Sequence, residues 1–378
     1  MSLATSLRRP KRIMLTTDTV GGVWHYTLEL TRAMSAAGLD VALLTLGPTP
    51  RTAQLDEAYR SGARIVDITD MPLDWTAGAE RDLDETSRAL RQQAQLWHAD
   101  LVHLNAPAYV GLEPWPCAVV ATIHSCVGTW WTAVEQGEMP HTLAWRAART
   151  ALGMKAADAV IAPSRSFVSA LTALYGPAVA ATVIHNGRGS SSLAPAIPGE
   201  TVLTAGRLWD RGKNIVLLDA AAEIAGLTIF AAGADTGPNG EHVTLPHLKI
   251  LGSLDETHMA AWHARAGIFV SPSLYEPFGL AVLEAARAHT ALILSDIPTF
   301  RELWDGAAMF IDGADAQGFA DAIRRLQETR SERLRLATAA AHRAAEYTPS
   351  EMGRRTLAVY QRVLASRHGL QLAGGLSA

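Results

Sequence analysis

The sequence predicts an α/β protein made of two doubly wound domains, and three observations carry that prediction. The chain has 378 residues, more than one ordinary core fills and about right for two domains of roughly 100 to 200 residues each. Short apolar runs alternate with amphipathic helical stretches from one end to the other, the pattern of parallel sheets covered by helices on both faces. The runs are continuously apolar instead of alternating, which marks strands buried on both sides.

In the first half, strands are expected at residues 12–17, 41–45, 64–68, 101–104, 119–123, 159–161 and 182–184. The second half repeats the plan at 202–205, 228–231, 250–251, 268–270, 292–294 and 308–311. Between the halves, residues 186–200 are rich in Gly, Ser and Pro and sustain neither regular period, so they read as a linker. This gives one Rossmann-like domain over residues 1–190 and a second over 191–348, facing a central cleft. A C-terminal helix over 349–378 lies far enough from the last strand to pack elsewhere, on the first domain.

Composition narrows the function. Hydrophobic residues at 48% and charged residues at 19% fit a folded enzyme and exclude a disordered or fibrous chain. A formal net charge of −4 gives no general attraction to nucleic acid or anionic lipid. The two cysteines, Cys117 and Cys126, match neither a zinc site nor a CxxC pair and read as buried, reduced thiols of a cytoplasmic protein. The basic start (Arg8, Arg9, Lys11, Arg12) lacks the apolar core of a signal peptide. No apolar run approaches the roughly 18 residues of a membrane span. Peripheral attachment at the inner face of a membrane is left open.

Open parallel sheets bind ligands at the carboxyl ends of their strands, and five segments there carry chemistry. Asp18 to Gly22 (DTVGG) follows the first strand and precedes a helix; Gly21 and Gly22 let backbone approach a ligand, and the helix N-terminus offers free N–H groups to a diphosphate. An ordinary tight turn would look the same. Gly206, Arg207 and Lys213 (AGRLWDRGKN) follow the first strand of the second half. This is no Walker A loop, because the glycine spacing is wrong and Asn214 stands where Ser or Thr must hold magnesium. Two cations at a strand end can still neutralise a diphosphate; solvated surface charge is the plain alternative.

Glu276 and Glu284 lie within SPSLYEPFGLAVLEA, Glu276 on the loop and Glu284 in the helix that starts near Leu280, with Val282 and Leu283 packing inward. Two carboxylates suggest a glycosidase pair, yet their place beside cation-bearing loops favours hydroxyl binding. His124 ends its strand as either a site residue or a buried one. His185-Asn186-Gly187 reads as a turn into the linker. The one D-x-D, Asp82 and Asp84, falls in a helical pattern instead of at a strand end, so no metal site is expected. Trp24, His25, Trp130 and Trp131 stack on sugars, touch lipid or simply pack.

Together these segments resemble the retaining glycosyltransferases of family 4, which have the GT-B fold, over nearly the whole chain. The most specific mark is E-x7-E, Glu276 to Glu284 within EPFGLAVLEA, joined to Arg207 and Lys213 upstream and to the glycine loop. Weaker marks are His124 and His185-Asn186-Gly187, where many members have Pro-Asn-Gly. The resemblance implies that the first domain takes the acceptor and the second the donor. Arg207 and Lys213 would hold the donor diphosphate, Gly22 would approach it, and Glu284 would bind the ribose. Glu276 would hold the transferred sugar, aided by the backbone of Phe278 and Gly279, with His124 near the reacting face. The departures are Asn214, where a glycine usually follows the lysine, and the bulky Trp24-His25.

The expectation is therefore a metal-independent retaining hexosyltransferase. It needs no cofactor beyond a nucleotide diphosphate sugar as donor, and its acceptor is a glycan, a lipid-linked sugar or a small molecule. The rivals are a GT-B epimerase or phosphorylase, and a sugar-nucleotide binding protein without catalysis.

Overall fold

The computed structural model describes residues 10–67, 71–135, 137–189, 199–238 and 240–374, and they form two compact units. The first is built on seven parallel strands: β1 (Arg12–Asp18), β2 (Asp40–Leu46), β3 (Arg64–Asp67), β4 (Leu101–Leu104), β5 (Ala118–Thr122), β6 (Ala159–Ala162) and β7 (Ala181–Val183). Their order is β3-β2-β1-β4-β5-β6-β7, so the winding reverses between β1 and β4. The connections carry α1 (Gly22–Ala36), α2 (Thr52–Arg60), α3 (Glu80–Leu96), α4 (Val127–Val134), α5 (His141–Ala156) and α6 (Arg165–Tyr175). From Trp130 onward, the end of α4 groups with the second unit.

Successive β1 residues show why the runs are continuously apolar. Ile13 and Leu15 enter one core with Tyr26 and Leu30 of α1. Met14 enters the opposite core with Leu83 and Leu90 of α3. Side chains alternate between faces along a strand, so a sheet covered on both sides needs apolar residues at every position.

The second unit repeats this with β8 (Thr201–Ala205), β9 (Ile229–Ala232), β10 (Lys249–Gly252), β11 (Ala266–Ser271), β12 (Ala291–Ser295) and β13 (Ala308–Ile311), all parallel in the order β10-β9-β8-β11-β12-β13. The helices are α7 (Ile215–Ala225), α8 (Glu256–Arg265), α9 (Leu280–Arg287), α10 (Pro298–Trp304), α11 (Ala316–Glu328) and α12 (Arg330–Ala344). Val202 and Ile268 face one core, Leu203 and Phe269 the other. All thirteen expected strands are present with ends within two residues of expectation. Ile68, linker residues 190–198 and the expected boundary at 190/191 lie outside the described residues.

The last helix, α13 (Pro349–Gly374), belongs to the first unit. Met352, Val359, Tyr360 and Val363 join the core of β1 and α1. Gly353 allows that approach, since a Cβ there would stand 2.4 Å from the Cβ of Ala33. The Tyr360 hydroxyl meets His103 Nδ1 at 2.5 Å, and His103 Nε2 meets Thr122 Oγ1 at 2.6 Å. Burial pushes His103 down to about 3, so the ring is neutral. Both cysteines are buried thiols outside any disulfide, and burial raises the Cys117 thiol to about 12. Among the described residues, no helix is long and apolar enough to cross a membrane.

Tyr360→Phe leaves the fully buried His103 short of one partner, which costs about 1–3 kcal/mol. A lowered urea midpoint with unchanged far-UV circular dichroism is the expected result, and an unchanged midpoint would remove the buried bond as an anchor of α13.

Candidate functional site

In the second unit the strand order reverses between β8 and β11, and the loops after these two strands carry the charged residues. Gly206 leads the first loop, and Gly233 passes so close to it that a Cβ on Gly233 would stand 1.7 Å from the Gly206 carbonyl oxygen. Asp210 organises the rest of this loop. Its Oδ1 accepts from Gly212 N at 2.9 Å and from Trp130 Nε1 at 3.0 Å, and its Oδ2 accepts from Arg207 Nη2 at 2.7 Å. Arg207 also lies 5.5 Å from the centre of the Trp209 ring.

Lys213 closes the 3₁₀ turn Arg211–Lys213 and pairs directly with Glu276. Its side chain is 18% exposed and that of Glu276 15%. Lys213 is therefore not the plain surface cation that a strand-end lysine suggests; it is a mostly buried charge with a partner. Asn214 then takes the left-handed conformation, φ 54° and ψ 33°. Glycine enters that region freely, and Asn is among the few other residues to visit it, which explains how Asn stands where similar sequences have Gly. Its Nδ2 donates to the carbonyls of Pro272 and Gly313 at 3.1 and 2.8 Å.

Glu276 sits on the loop after β11, ahead of α9. Phe278 is buried against Tyr347, and Gly279, at φ 92°, makes the left-handed turn into α9. These two residues offer a ligand their backbone only. Val282 and Leu283 are buried as expected. Glu284, one turn into α9, accepts from Arg188 Nε at 2.8 Å, while Arg188 Nη2 reaches Glu256 at 2.9 Å. His263 Nε2 lies 3.9 Å from Glu284; burial lowers its pKa, Glu284 opposes that shift and Arg188 adds to it.

The first unit reverses its order between β1 and β4. Asp18 Oδ1 accepts from the backbone N–H of Val20 at 3.0 Å and of Gly21 at 3.3 Å, folding DTVGG into the turn that starts α1 at Gly22. Gly21 and Gly22 are exposed, and no side chain caps the helix. His124, just past β5, packs edge-on against Tyr26 with ring centres 4.5 Å apart, and its Nε2 meets Asn105 Oδ1 at 2.9 Å. Burial lowers its pKa to about 3. Thr16, Asp18, Asp74, Asn105 and Tyr109 line a small cavity nearby. Burial, with the charge of Asp18, raises Asp74 to about 6.

Other segments prove structural. Trp24 is core, 3% exposed, with Nε1 donating to Glu57 at 3.1 Å. Gly187 N donates to Met352 Sδ at 3.2 Å, tying the His185-Asn186-Gly187 turn to α13. Asp82 accepts from the N–H groups of Gly78 and Ala79 ahead of α3, and Asp84 pairs with Arg149.

Thus Arg207, Lys213, Glu276, Phe278 and Gly279 fall on the switch-point loops of the second unit, and Glu284 in the helix α9 that follows. Gly21, Gly22 and His124 fall at strand ends of the first. Asn105, Asp210 and Arg188 went unnoticed in the sequence. Asp210 was open to view inside RLWDRGK, three residues from Arg207, whereas Arg188 was hidden in the linker and Asn105 carries no charge.

Sequence comparison places this geometry. Residues 20–188 match the model "Glycosyltransferase Family 4" and residues 199–329 match "Glycosyl transferases group 1". A glycogen synthase of Mycobacterium tuberculosis is 27% identical, covering 86% of each chain. A phosphatidyl-myo-inositol mannosyltransferase of Mycobacterium leprae is 27% identical, covering 94% of this chain and 97% of its own. Sucrose-phosphate synthase of Thermosynechococcus elongatus has the same fold at a TM-score of 0.77 and 19% identity, over 94% of this chain and all of that one. An Anabaena protein, Alr3699/HepE, solved in complex with UDP-glucose, superposes at a TM-score of 0.69 and 16% identity, over 93% of this chain and 99% of that one. With both halves matched and the GT-B fold in place, the chain belongs to the family 4 glycosyltransferases and transfers a sugar.

Proposed function

We propose that the enzyme is a retaining, metal-independent hexosyltransferase whose donor is a nucleotide diphosphate sugar and which uses no further cofactor. The observation that carries this reading is the pairing of Lys213 with Glu276 beside Arg207, at the strand-order reversal of one sheet. A diphosphate that takes Lys213 as its counter-ion displaces Glu276, and the freed carboxylate is then available to the hydroxyls of the transferred sugar. One exchange of partners thus loads both ends of the donor. Glu284, held by Arg188, binds the ribose, and His124 meets the sugar. The UDP-glucose complex of the Anabaena protein supports such a donor. The relatives' names span glycogen synthesis and phosphatidyl-myo-inositol mannosylation, so the acceptor is proposed only as a hydroxyl compound.

Charge grows on the departing diphosphate as the glycosidic bond breaks. Fixed cations and helix N-termini aimed at that charge stabilise it without a divalent ion. The acceptor oxygen forms its bond to the anomeric carbon on the face the diphosphate leaves, and the acceptor's proton passes to a departing phosphate oxygen. The linkage formed is α from an α-linked donor.

Arg207→Ala and Lys213→Ala each weaken donor binding about tenfold or more, the worth of a charge-assisted hydrogen bond, as read by calorimetry with a nucleoside diphosphate. Because Lys213 shields Glu276, Lys213→Ala also lowers thermal stability, and Arg207→Ala does so less. Equal donor affinity in both variants and the parent overturns the diphosphate site.

Glu276→Gln leaves Lys213 charged but without its internal counter-ion. Donor affinity should hold or rise while kcat falls, because the carboxylate acts as positive charge develops on the sugar. Glu284→Ala mainly raises KM for the donor. Steady-state kinetics showing the opposite split would reverse these roles.

Activity survives excess EDTA, and proton NMR of the product formed under those conditions shows an α-anomeric signal. A β signal, or product that returns only with magnesium or manganese, refutes the mechanism.

A further inference from the structure

Asn105 directly follows β4, one of the two strands at which the first sheet reverses its order. Three bonds fix how its amide is oriented. The Nδ2 group donates to the Thr16 carbonyl oxygen, an atom that can only accept. It also donates to Thr27 Oγ1 at 2.8 Å, and that hydroxyl has already spent its proton on the Val23 carbonyl at 2.7 Å. The backbone N–H of Asn105 donates to Thr16 Oγ1 at 2.9 Å. With both sides of the amide assigned in this way, Oδ1 is the atom that faces His124 Nε2 at 2.9 Å.

A carbonyl oxygen cannot donate, so Nε2 must carry the proton. A neutral imidazole has one protonated and one bare nitrogen. We propose that Asn105 is a positioning residue that locks His124 as the Nε2–H tautomer, so that Nδ1 is presented as a hydrogen-bond acceptor to a hydroxyl of the transferred sugar. The consequence for catalysis rests on the reading that His124 meets the sugar; the tautomer itself does not.

The surroundings keep the ring neutral. Tyr26 of α1 packs on it and is raised to about 12 by burial. His103 of β4, held behind by Tyr360 of α13 and by Thr122 of β5, is itself neutral. Asp18 and Asp74 share the cavity with Asn105, yet burial alone accounts for the lowered pKa of His124. An acceptor at Nδ1 is therefore preserved throughout the neutral range.

The test combines a direct readout with a pH profile. In parent protein labelled with 15N-histidine, His124 should show a protonated Nε2 and a bare Nδ1 that does not titrate between pH 5 and 8. A protonated Nδ1 overturns the proposal whatever the kinetics say. Asn105→Asp puts a carboxylate against Nε2 and raises the pKa of His124. Below that raised value Nδ1 is protonated and no longer accepts, so kcat falls about tenfold on an acid limb that the parent lacks. A folded Asn105→Asp variant with the parent's 15N shifts and pH profile also overturns the proposal. If Asn105→Asp does not fold, Asn105→Ala decides by the same spectrum, where loss of the single tautomer is expected and its persistence contradicts the lock. His124→Ala separates the two levels: full turnover refutes the sugar contact, and the spectra still judge Asn105.

Discussion

The strands of both sheets run parallel, and the inner ones send alternate side chains into a core on each face. This constraint governs where polar chemistry can be placed. A side chain along such a strand points into one core or the other, and an unpaired charge there would cost several kcal/mol. Polar groups that must meet a substrate are therefore pushed to the strand ends, and the carboxyl ends at the reversal of strand order have the most room. Arg207, Lys213 and Glu276 sit there in the second unit, and Asp18 and Asn105 in the first. His103 is a titratable side chain buried inside a strand, and it is tolerated because both ring nitrogens are bonded.

A second regularity holds in the second unit. Each cation near the switch point already has a carboxylate: Arg207 has Asp210, Lys213 has Glu276, and Arg188 has Glu284 and Glu256. Partly buried charges need such partners, since a lone one would shift its pKa or unfold its loop. If the proposed diphosphate site is right, the pairing makes binding an exchange of partners instead of the filling of a bare positive pocket. Discrimination then depends on whether a ligand can satisfy the released carboxylate as well as the cation. Inorganic phosphate has no sugar hydroxyls with which to do so.

The architecture was legible in the sequence because burial on both faces leaves a simple signature. Short apolar runs, bounded by polar turns, located all thirteen strands. The positions of Arg207, Lys213 and Glu276 were legible for the same reason, standing out after such runs. What stayed hidden depends on contacts distant in sequence. Arg188 looked like part of a flexible linker, and only the fold brings it to Glu284, 96 positions away. Asn105 went unnoticed in the sequence, and its place shows only in its bonds to Thr16, Thr27 and His124 taken together. Trp24 could have been a stacking platform or a core residue, and the choice turned on the rotational setting of α1, which periodicity alone does not fix. Asn214 was read as a departure from the family pattern, but its left-handed backbone accommodates Asn much as it would Gly.

The two units also divide the electrostatic work. In the first, burial holds His103 and His124 near 3, raises Tyr26 to about 12, and raises Tyr109 and Tyr360 well above the usual phenol range. All of these side chains are uncharged at neutral pH and act through oriented hydrogen bonds. In the second, the working groups are full charges on loops. The proposed transfer of a sugar from a diphosphate would use both kinds. The leaving group becomes more anionic and requires opposing charge, whereas a hydroxyl is positioned by direction, which neutral donors and acceptors supply with less cost of desolvation. At His124 the low pKa and the Asn105 bond act together: burial keeps the ring uncharged, and the amide oxygen sets which nitrogen carries the proton.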